Sequence, residues 1–517
     1  MNHLKLDYTE LGVFLFFFTI VTGVGFFASR WRRGNMDELD EWGLAGRRFG
    51  TLITWFLVGG DFYTAYTVIA VPALVFAVGA LGFFALPYTI IVYPFVFLTM
   101  PRLWAVSSKH GYITPSDFVR GRYGSHWLAL AVALTGILAT MPYIALQLVG
   151  IEVVLAQMGL TGSSTFVNDL PVIVAFIILA LYTYSSGLRA PALIALVKDV
   201  MIYIMVLAAV IYVPIKLGGY AHIFAAAGTA LSLNTPKGFI ILQHQNYAAY
   251  ATLALGSALA AFMYPHMITS VLSSSSGRVI KRNAVLLPAY TFLLGLIALL
   301  GYMAITAGIH PKSPNFVVPG LFQSVFPSWF AGFCFAAIAI AALVPAAIMS
   351  IAAANIYTRN IYREYINPSA TPKQESQNAK LASLVVKFGA LAFVLFFPIK
   401  YAINLQLLGG IWILQTFPAL VFGLWRRRFH HNALLIGWAA GMTAGTWMTL
   451  ALKLKSTIYP VMIGGKTYPI FAGLLALLLN LFLCQLFTWA FDAMGMQRGA
   501  DQTSISDYEE TESEQPA

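Results

Sequence analysis

Trp55-Phe-Leu-Val-Gly-Gly-Asp-Phe-Tyr-Thr-Ala-Tyr66 places one carboxylate, Asp61, in the middle of an otherwise apolar stretch. A charged side chain near the bilayer centre costs about 3 kcal/mol on insertion scales, so it is kept for an ion, a proton or a substrate far more often than for packing. Gly59 and Gly60 before it and Pro72 after it weaken the helix at the same depth. An interrupted helix with a polar group at the midplane is what a secondary transporter uses to hold its cargo. The plainer alternative is a buried acid paired with another helix.

Working outward, the rest of the chain is equally membrane-like. Of 517 residues, 59% are hydrophobic and only 10% charged, against about 25% charged in soluble domains. Apolar runs long enough to cross a ~30 Å hydrocarbon core fall at about 10–29, 50–78, 82–101, 127–158, 169–185, 190–214, 247–274, 284–308, 328–355, 381–399, 402–425, 433–452 and 467–490, here spans one to thirteen. Span one is followed by Arg30, Arg32 and Arg33 and reads as an anchor; a cleaved signal peptide carries its positive charges before a shorter apolar region.

The net charge of +11 does not indicate nucleic acid, because its distribution follows the membrane. With the N-terminus outside, the inner loops hold 21 Lys and Arg and the outer ones eight: Lys5, Lys216, Lys237, Lys312, Lys400, Lys453, Lys455 and Lys466. That is the positive-inside bias, and it puts the C-terminus in the cytoplasm of a cell-membrane protein. Residues 1–490 form one polytopic domain, and 491–517 is an acidic, Ser/Thr-rich tail expected to be disordered. The outer segment 215–246 could hold a short external helix or lid. Cys334 and Cys484 lie far apart in predicted spans and read as small packing residues. The chain has no CxxC, HExxH or phosphate-cradling glycine loop, so no cofactor and no enzymatic activity are expected. An ion gradient, H+ or Na+, is the expected driving force.

Helix breakers recur five spans later, where span seven carries Gly256 and Pro265 within Ala261-Phe-Met-Tyr-Pro-His266. Matching broken helices in two five-helix halves indicate an inverted repeat with its binding site between the breaks. The core repeats are predicted over about 50–214 and 247–425.

Further motifs carry a resemblance. Tyr182-Thr-Tyr-Ser-Ser-Gly-Leu-Arg189, running on to Lys198-Asp199-Val200, resembles the Gly-Gly-Leu-Arg-Ala…Thr-Asp-Val signature of the sodium:solute symporter family, with about one extra helical turn between Arg189 and Asp199. Ala353-Ala-Asn-Ile-Tyr-Thr-Arg-Asn-Ile-Tyr-Arg-Glu-Tyr365 resembles that family's Thr-x-x-Asp-Ile-Tyr ending. The stretches 59–72 and 343–355 look most like bacterial monocarboxylate permeases. The resemblance implies an all-α fold of the leucine-transporter type, five helices plus five inverted, with one helix before the core and two after. It implies a symporter for lactate, pyruvate, acetate or propionate; a sodium-coupled carrier of pantothenate, proline or a sugar is the alternative.

Family members bind sodium between the broken span two and span nine, through backbone carbonyls and a Ser/Thr pair. Here the carbonyls near Gly60 and Tyr63, with Ala341, remain, but the hydroxyl pair falls at Val344 and Pro345, which offer no side-chain oxygen. A hard cation wants several oxygens. Span six supplies a charge instead: Lys198 lies ~13 Å in from the inner end at 1.5 Å per residue, where its ammonium could stand in for sodium. Coupling through Asp61, Lys198 or Asp199 is the resulting expectation, and a snorkelling Lys198 is the alternative.

The expected pocket combines Thr64, Tyr66 and Thr67 of span two, Tyr143 and Gln147 of span four, and Phe262, Tyr264 and His266 of span seven. Gln147 could donate to a carboxylate, and helix N-termini at the breaks favour an anion. His266, Tyr264 and Phe262 could equally be packing residues. This small, hydroxyl-rich, arginine-free inventory suits a monocarboxylate. Glu152 reads as an outer interfacial residue, Lys387 has no assigned role, and nothing in the sequence decides the oligomeric state.

Overall fold

The computed structural model describes residues 6–31, 34–160, 165–233, 237–396 and 402–510. Lys5, Arg32, Arg33 and Lys400 of the charge bias, and 511–517 of the expected disordered tail, lie outside the described residues. Helix occupies each of the thirteen apolar stretches. By length and composition, nine helices among the described residues can cross a membrane, or up to ten if the bent pair in span seven counts as one, short of the thirteen expected.

Span two divides into Thr51–Gly60 and Tyr66–Val78. Its second piece opens with a widened turn, Tyr66–Ala70, in which the Val71 N–H reaches back to Tyr66 O just before Pro72, which has no N–H to offer. Span seven divides into Tyr247–Ala261 and Pro265–Leu272, and the two pieces, the first extended by the turn at His244, are bent by 49°. Both breaks face the core. Span nine, Ser328–Tyr357, runs through that core, packed by spans one, four, six and ten and by the second half of span seven. Its alanines let the neighbouring helices approach closely.

The signature turn locks onto a short helix, Leu39–Leu44. The Leu188 N–H donates to Trp42 O at 3.0 Å. Arg189, counted above as a loop charge, is buried and pairs with the Glu41 carboxylate, while its Nη1 donates to Glu41 O at 2.7 Å. At the end of span nine, Asn360 stands where the resembled motif has Asp. Its Nδ2 donates to Asp117 Oδ1 at 2.7 Å and its Oδ1 accepts from the Thr114 hydroxyl at 2.7 Å. An aspartate there would face a second carboxylate, whereas the amide satisfies both partners.

Two expectations need correction. Span thirteen begins five residues late: Lys466–Phe471 pairs antiparallel with Ile458–Ile463, and helix starts at Ala472. Gly464 and Gly465 both have positive φ, which builds the tight turn, and Thr467, Tyr468, Ile470 and Phe471 favour strand. The acidic tail is folded to residue 510 against the end of the bundle that carries Arg102, His110 and Arg122. Asp501 pairs with Arg122 at 2.7 Å, Asp507 with His110 at 2.9 Å, and Tyr508 is buried against Phe118 under the guanidinium groups of Arg102 and Arg122. Its charges find fixed partners, which composition alone does not reveal. The outer segment holds the helix Tyr220–Leu233, packed on span eight, and Phe239 O accepts from the Ala80 N–H at the end of span two.

Candidate functional site

A break in an apolar interior exposes N–H and C=O groups that must find partners. In span two the chain turns tightly after Gly60, with Phe62 N–H donating to Gly59 O at 2.9 Å and Tyr63 N–H to Gly60 O at 3.1 Å. The restart is capped locally: Thr67 Oγ1 accepts from Thr64 N–H at 2.9 Å and donates to Thr64 O at 3.0 Å, while Thr64 Oγ1 accepts from Tyr66 N–H at 3.0 Å. Both threonine hydroxyls, expected to meet substrate, hold the broken backbone. Gln147 closes the break from span four. Its Oε1 accepts from Ala65 N–H at 3.0 Å and its Nε2 donates to Tyr143 O at 3.3 Å, so both ends of the amide are engaged at the helix break.

The carbonyl side of the break faces a cation. Lys198 Nζ donates to Gly60 O at 2.5 Å and to Tyr63 O at 3.3 Å, and stands 3.0 Å from Asp199 Oδ1. Lys198 and Asp199 are wholly buried. Adjacent helical residues diverge by about 100°, but the flexible lysine stem curls back far enough to meet its neighbour. The two glycines make room: a Cβ on Gly60 would lie 2.7 Å from Lys198 Nζ, and one on Gly59 would lie 2.2 Å from the Tyr290 ring. Span nine gives this centre no side-chain oxygen, since Ala341, Val344 and Pro345 are buried apolar residues.

Asp61 lies apart from the lysine's hydrogen bonds. Its Oδ2 accepts from the Ser270 hydroxyl at 3.0 Å, which ties the break in span two to the second half of span seven. Its Oδ1 has no hydrogen-bond partner among the described residues. Asp199 has a partner that sequence reasoning missed, the Tyr290 hydroxyl of span eight, which donates to Oδ2 at 2.7 Å. Ser270 and Tyr290 belong to no motif, and only the packing of spans seven and eight onto span two brings them in.

The break in span seven is lined by rings. Tyr143, Tyr264 and His266 form a triangle with centroid distances of 5.4 Å, and Phe262 lies 6.5 Å from Phe62. The Tyr264 hydroxyl donates to Gln406 O at 3.0 Å. Tyr66 Oη and His266 Nδ1 have no hydrogen-bond partner among the described residues. Buried polar atoms in folded proteins are almost always paired, so Asp61 Oδ1, Tyr66 Oη, His266 Nδ1 and Asp199 Oδ1 stand out at the two breaks as atoms without a hydrogen-bond partner among the described residues. Lys387 lies elsewhere, on span ten, donating to Ser383 Oγ at 2.6 Å, with Ser350 of span nine 3.4 Å beyond.

Comparisons with known proteins identify the family and the fold. A model of the sodium:solute symporter family matches residues 42–441. The chain is 58% identical over 474 residues to a monocarboxylate transport permease protein of Rhizobium johnstonii, covering 92% of this chain and 95% of that one. It is 34% identical over 447 residues to the symporter YodF of Bacillus subtilis, covering 85% of this chain and 87% of the relative. Among solved structures, a Na+-coupled sialic acid symporter in a substrate-bound, outward-open state superposes with a TM-score of 0.76 at 16% identity, covering 94% of this chain and 99% of that one. At that identity the likeness concerns the fold.

Proposed function

Because this chain belongs to the sodium:solute symporter family, we propose that it imports small monocarboxylates such as lactate, pyruvate, acetate or propionate, coupled to protons in preference to sodium. The chain is a multi-pass membrane transporter and not an enzyme. Support for the substrate class comes from the 58% identical relative named as a monocarboxylate permease and from the Tyr143 and Tyr264 phenols and the His266 imidazole gathered at the break in span seven.

The observation that carries the coupling is the Lys198 ammonium on the Gly60 and Tyr63 carbonyls. A charged lysine there satisfies the open carbonyl end of span two as a bound cation would, and it needs no span-nine hydroxyls. Loss of its proton would leave those carbonyls and Asp199 short of a partner and favour a rearranged break. A proton on Lys198, and with it the conformation of span two, is thereby linked to transport. Asp61 joins the same break to the half of span seven that presents His266 and Ser270, which gives the substrate side a route to the charged side.

Reconstitution in liposomes tests this. With passive entry of each acid subtracted using protein-free vesicles, an inside-alkaline pH gradient should drive at least tenfold accumulation of a labelled monocarboxylate without sodium. Pantothenate, proline and glucose serve as competitors. Accumulation that requires sodium at constant pH and potential overturns proton coupling, and preference for a competitor overturns the substrate class.

A further inference from the structure

We propose that Tyr290 is a positioning residue of the coupling centre, holding the Asp199 carboxylate against Lys198 and fastening it to the break in span two. The inference rests on the reading of Lys198 and Asp199 as that centre. Tyr290 stands one turn into span eight, after Leu287-Pro288, and is buried. Its hydroxyl donates to Asp199 Oδ2 at 2.7 Å, leaving Oδ1 toward Lys198 Nζ at 3.0 Å. Its main-chain carbonyl accepts the Tyr63 hydroxyl at 3.2 Å. Its ring packs on Tyr63, inside the break, at 4.6 Å and on Trp55, in the helical piece before it, at 5.0 Å.

One residue of span eight therefore touches the carboxylate on span six, the end of the first helical piece of span two and the interruption itself. A carboxylate in an apolar interior is costly unless hydrogen-bonded; the Tyr290 hydroxyl supplies that bond to Oδ2, while Oδ1 has the ion-pair contact with Lys198 alone among the described residues. When the break rearranges, Tyr63 moves against the Tyr290 carbonyl and ring. A displaced Tyr290 releases Asp199, which connects movement of span two to the charge of the Lys198–Asp199 pair. Gly59 is the counterpart of this contact, because any larger residue there would drive into the Tyr290 ring. The titratable groups that face Tyr290 are Asp199, Lys198 and Tyr203 of span six and Tyr63 of span two, with Asp61 beyond them.

The test is a double-mutant cycle between Tyr290→Phe and Asp199→Asn, read as gradient-driven accumulation, substrate exchange without a gradient, and the pH profile of uptake. Tyr290→Phe keeps the ring packing and removes only the hydroxyl. It should lower accumulation at least tenfold and move the midpoint of the pH profile, while exchange stays within about twofold of the parent. The double variant should be no worse than Asp199→Asn alone, because the two residues act through one bond. Gly59→Ala should reproduce the Tyr290→Phe phenotype. A Tyr290→Phe protein with normal accumulation and pH profile overturns the proposal, as do fold-losses that multiply in the double variant. Lys198→Ala, assayed in parallel, separates the two readings. If it couples normally, the centre itself is refuted and the role of Tyr290 with it; if it uncouples while Tyr290→Phe does not, only the role of Tyr290 falls.

Discussion

Spans two and seven are each broken at the same stage of their repeat, yet the two gaps are filled by opposite chemistry. The gap in span two is closed electrostatically, with an ammonium on its carbonyls and a glutamine oxygen and threonine hydroxyls on its N–H groups. The gap in span seven is closed by Pro265, which has no N–H to satisfy, and by the rings of Tyr143, Tyr264 and His266. Under the proposed function the contrast separates labour: the break in span two would sense charge, and the break in span seven would shape the space for an organic anion.

The sharpest way to break that contrast is Lys198→Ala. Gradient-driven accumulation should fall to the level of empty vesicles, since an uncompensated buried Asp199 remains at a cost of about 3–5 kcal/mol. Adding Val344→Ser and Pro345→Ser to that variant should introduce a sodium response, with Pro345→Ala as the control for the restored backbone donor. Next comes Asp61→Asn, which keeps shape and removes charge. Accumulation should drop at least tenfold while membrane insertion, followed by protease protection, is unchanged; normal accumulation would reduce Asp61 to a structural bridge to Ser270.

Gly60→Ala should cost less, roughly a three- to tenfold loss of accumulation, because the new methyl meets the mobile end of a lysine and not backbone. His266→Asn and Tyr66→Phe sharpen the other side of the comparison. Both should raise the KM for the acid by a few-fold and leave the ratio of protons to substrate unchanged. If they uncouple transport instead, the division between the two breaks is wrong.

The smallest effect is expected at the acidic tail. Burial pushes the Asp507 pKa up, but hydrogen bonds from His110 and from the Ser504 backbone and side chain outweigh it and bring the pKa down to about 2. A carboxyl depressed in this way contributes stability that is present above its ordinary value near 3.8 and is lost as pH falls through about 2. Across pH 5–8 this group should therefore leave the docking of the tail unchanged. Asp507→Asn should lower the melting temperature by about 1–2 °C, in keeping with the small worth of a partly exposed pair. Limited proteolysis after residue 496 would report the loosened tail.

Much of this architecture is legible in the chain because lipid imposes simple rules. Apolar length, glycine and proline at midplane depth, and one stranded carboxylate mark both broken helices before any coordinate is known. The coupling centre was half legible: the valine and proline at 344–345 and the lysine at 198 stand out against the resembled motif. What completes the centre does not. Tyr290 and Ser270 are ordinary residues in span eight and span seven, and only tertiary packing turns their hydroxyls toward Asp199 and Asp61. Thr64, Thr67 and Gln147 show a second duty that the sequence does not reveal. Their chemistry suits a ligand, but an interrupted helix in an apolar interior has first claim on nearby donors and acceptors. The tail misled for a related reason, since an acidic segment reads as solvated until a basic surface is folded beneath it.

Span nine, buried along the whole of its most apolar window, has a consequence for the setting in which the protein works. Tyr8–Phe27 and Ala472–Ala493 are buried over only 22% and 28% of theirs, so they meet lipid along most of their length. A thinner or thicker bilayer acts on a helix through the lipid it touches, by tilting it or deforming the membrane around it. The outer helices would absorb such a mismatch, and the alanine-rich helix beside the coupling centre would not feel it directly. The protein is thus built to keep its working parts at a constant spacing while its rim conforms to the membrane it occupies.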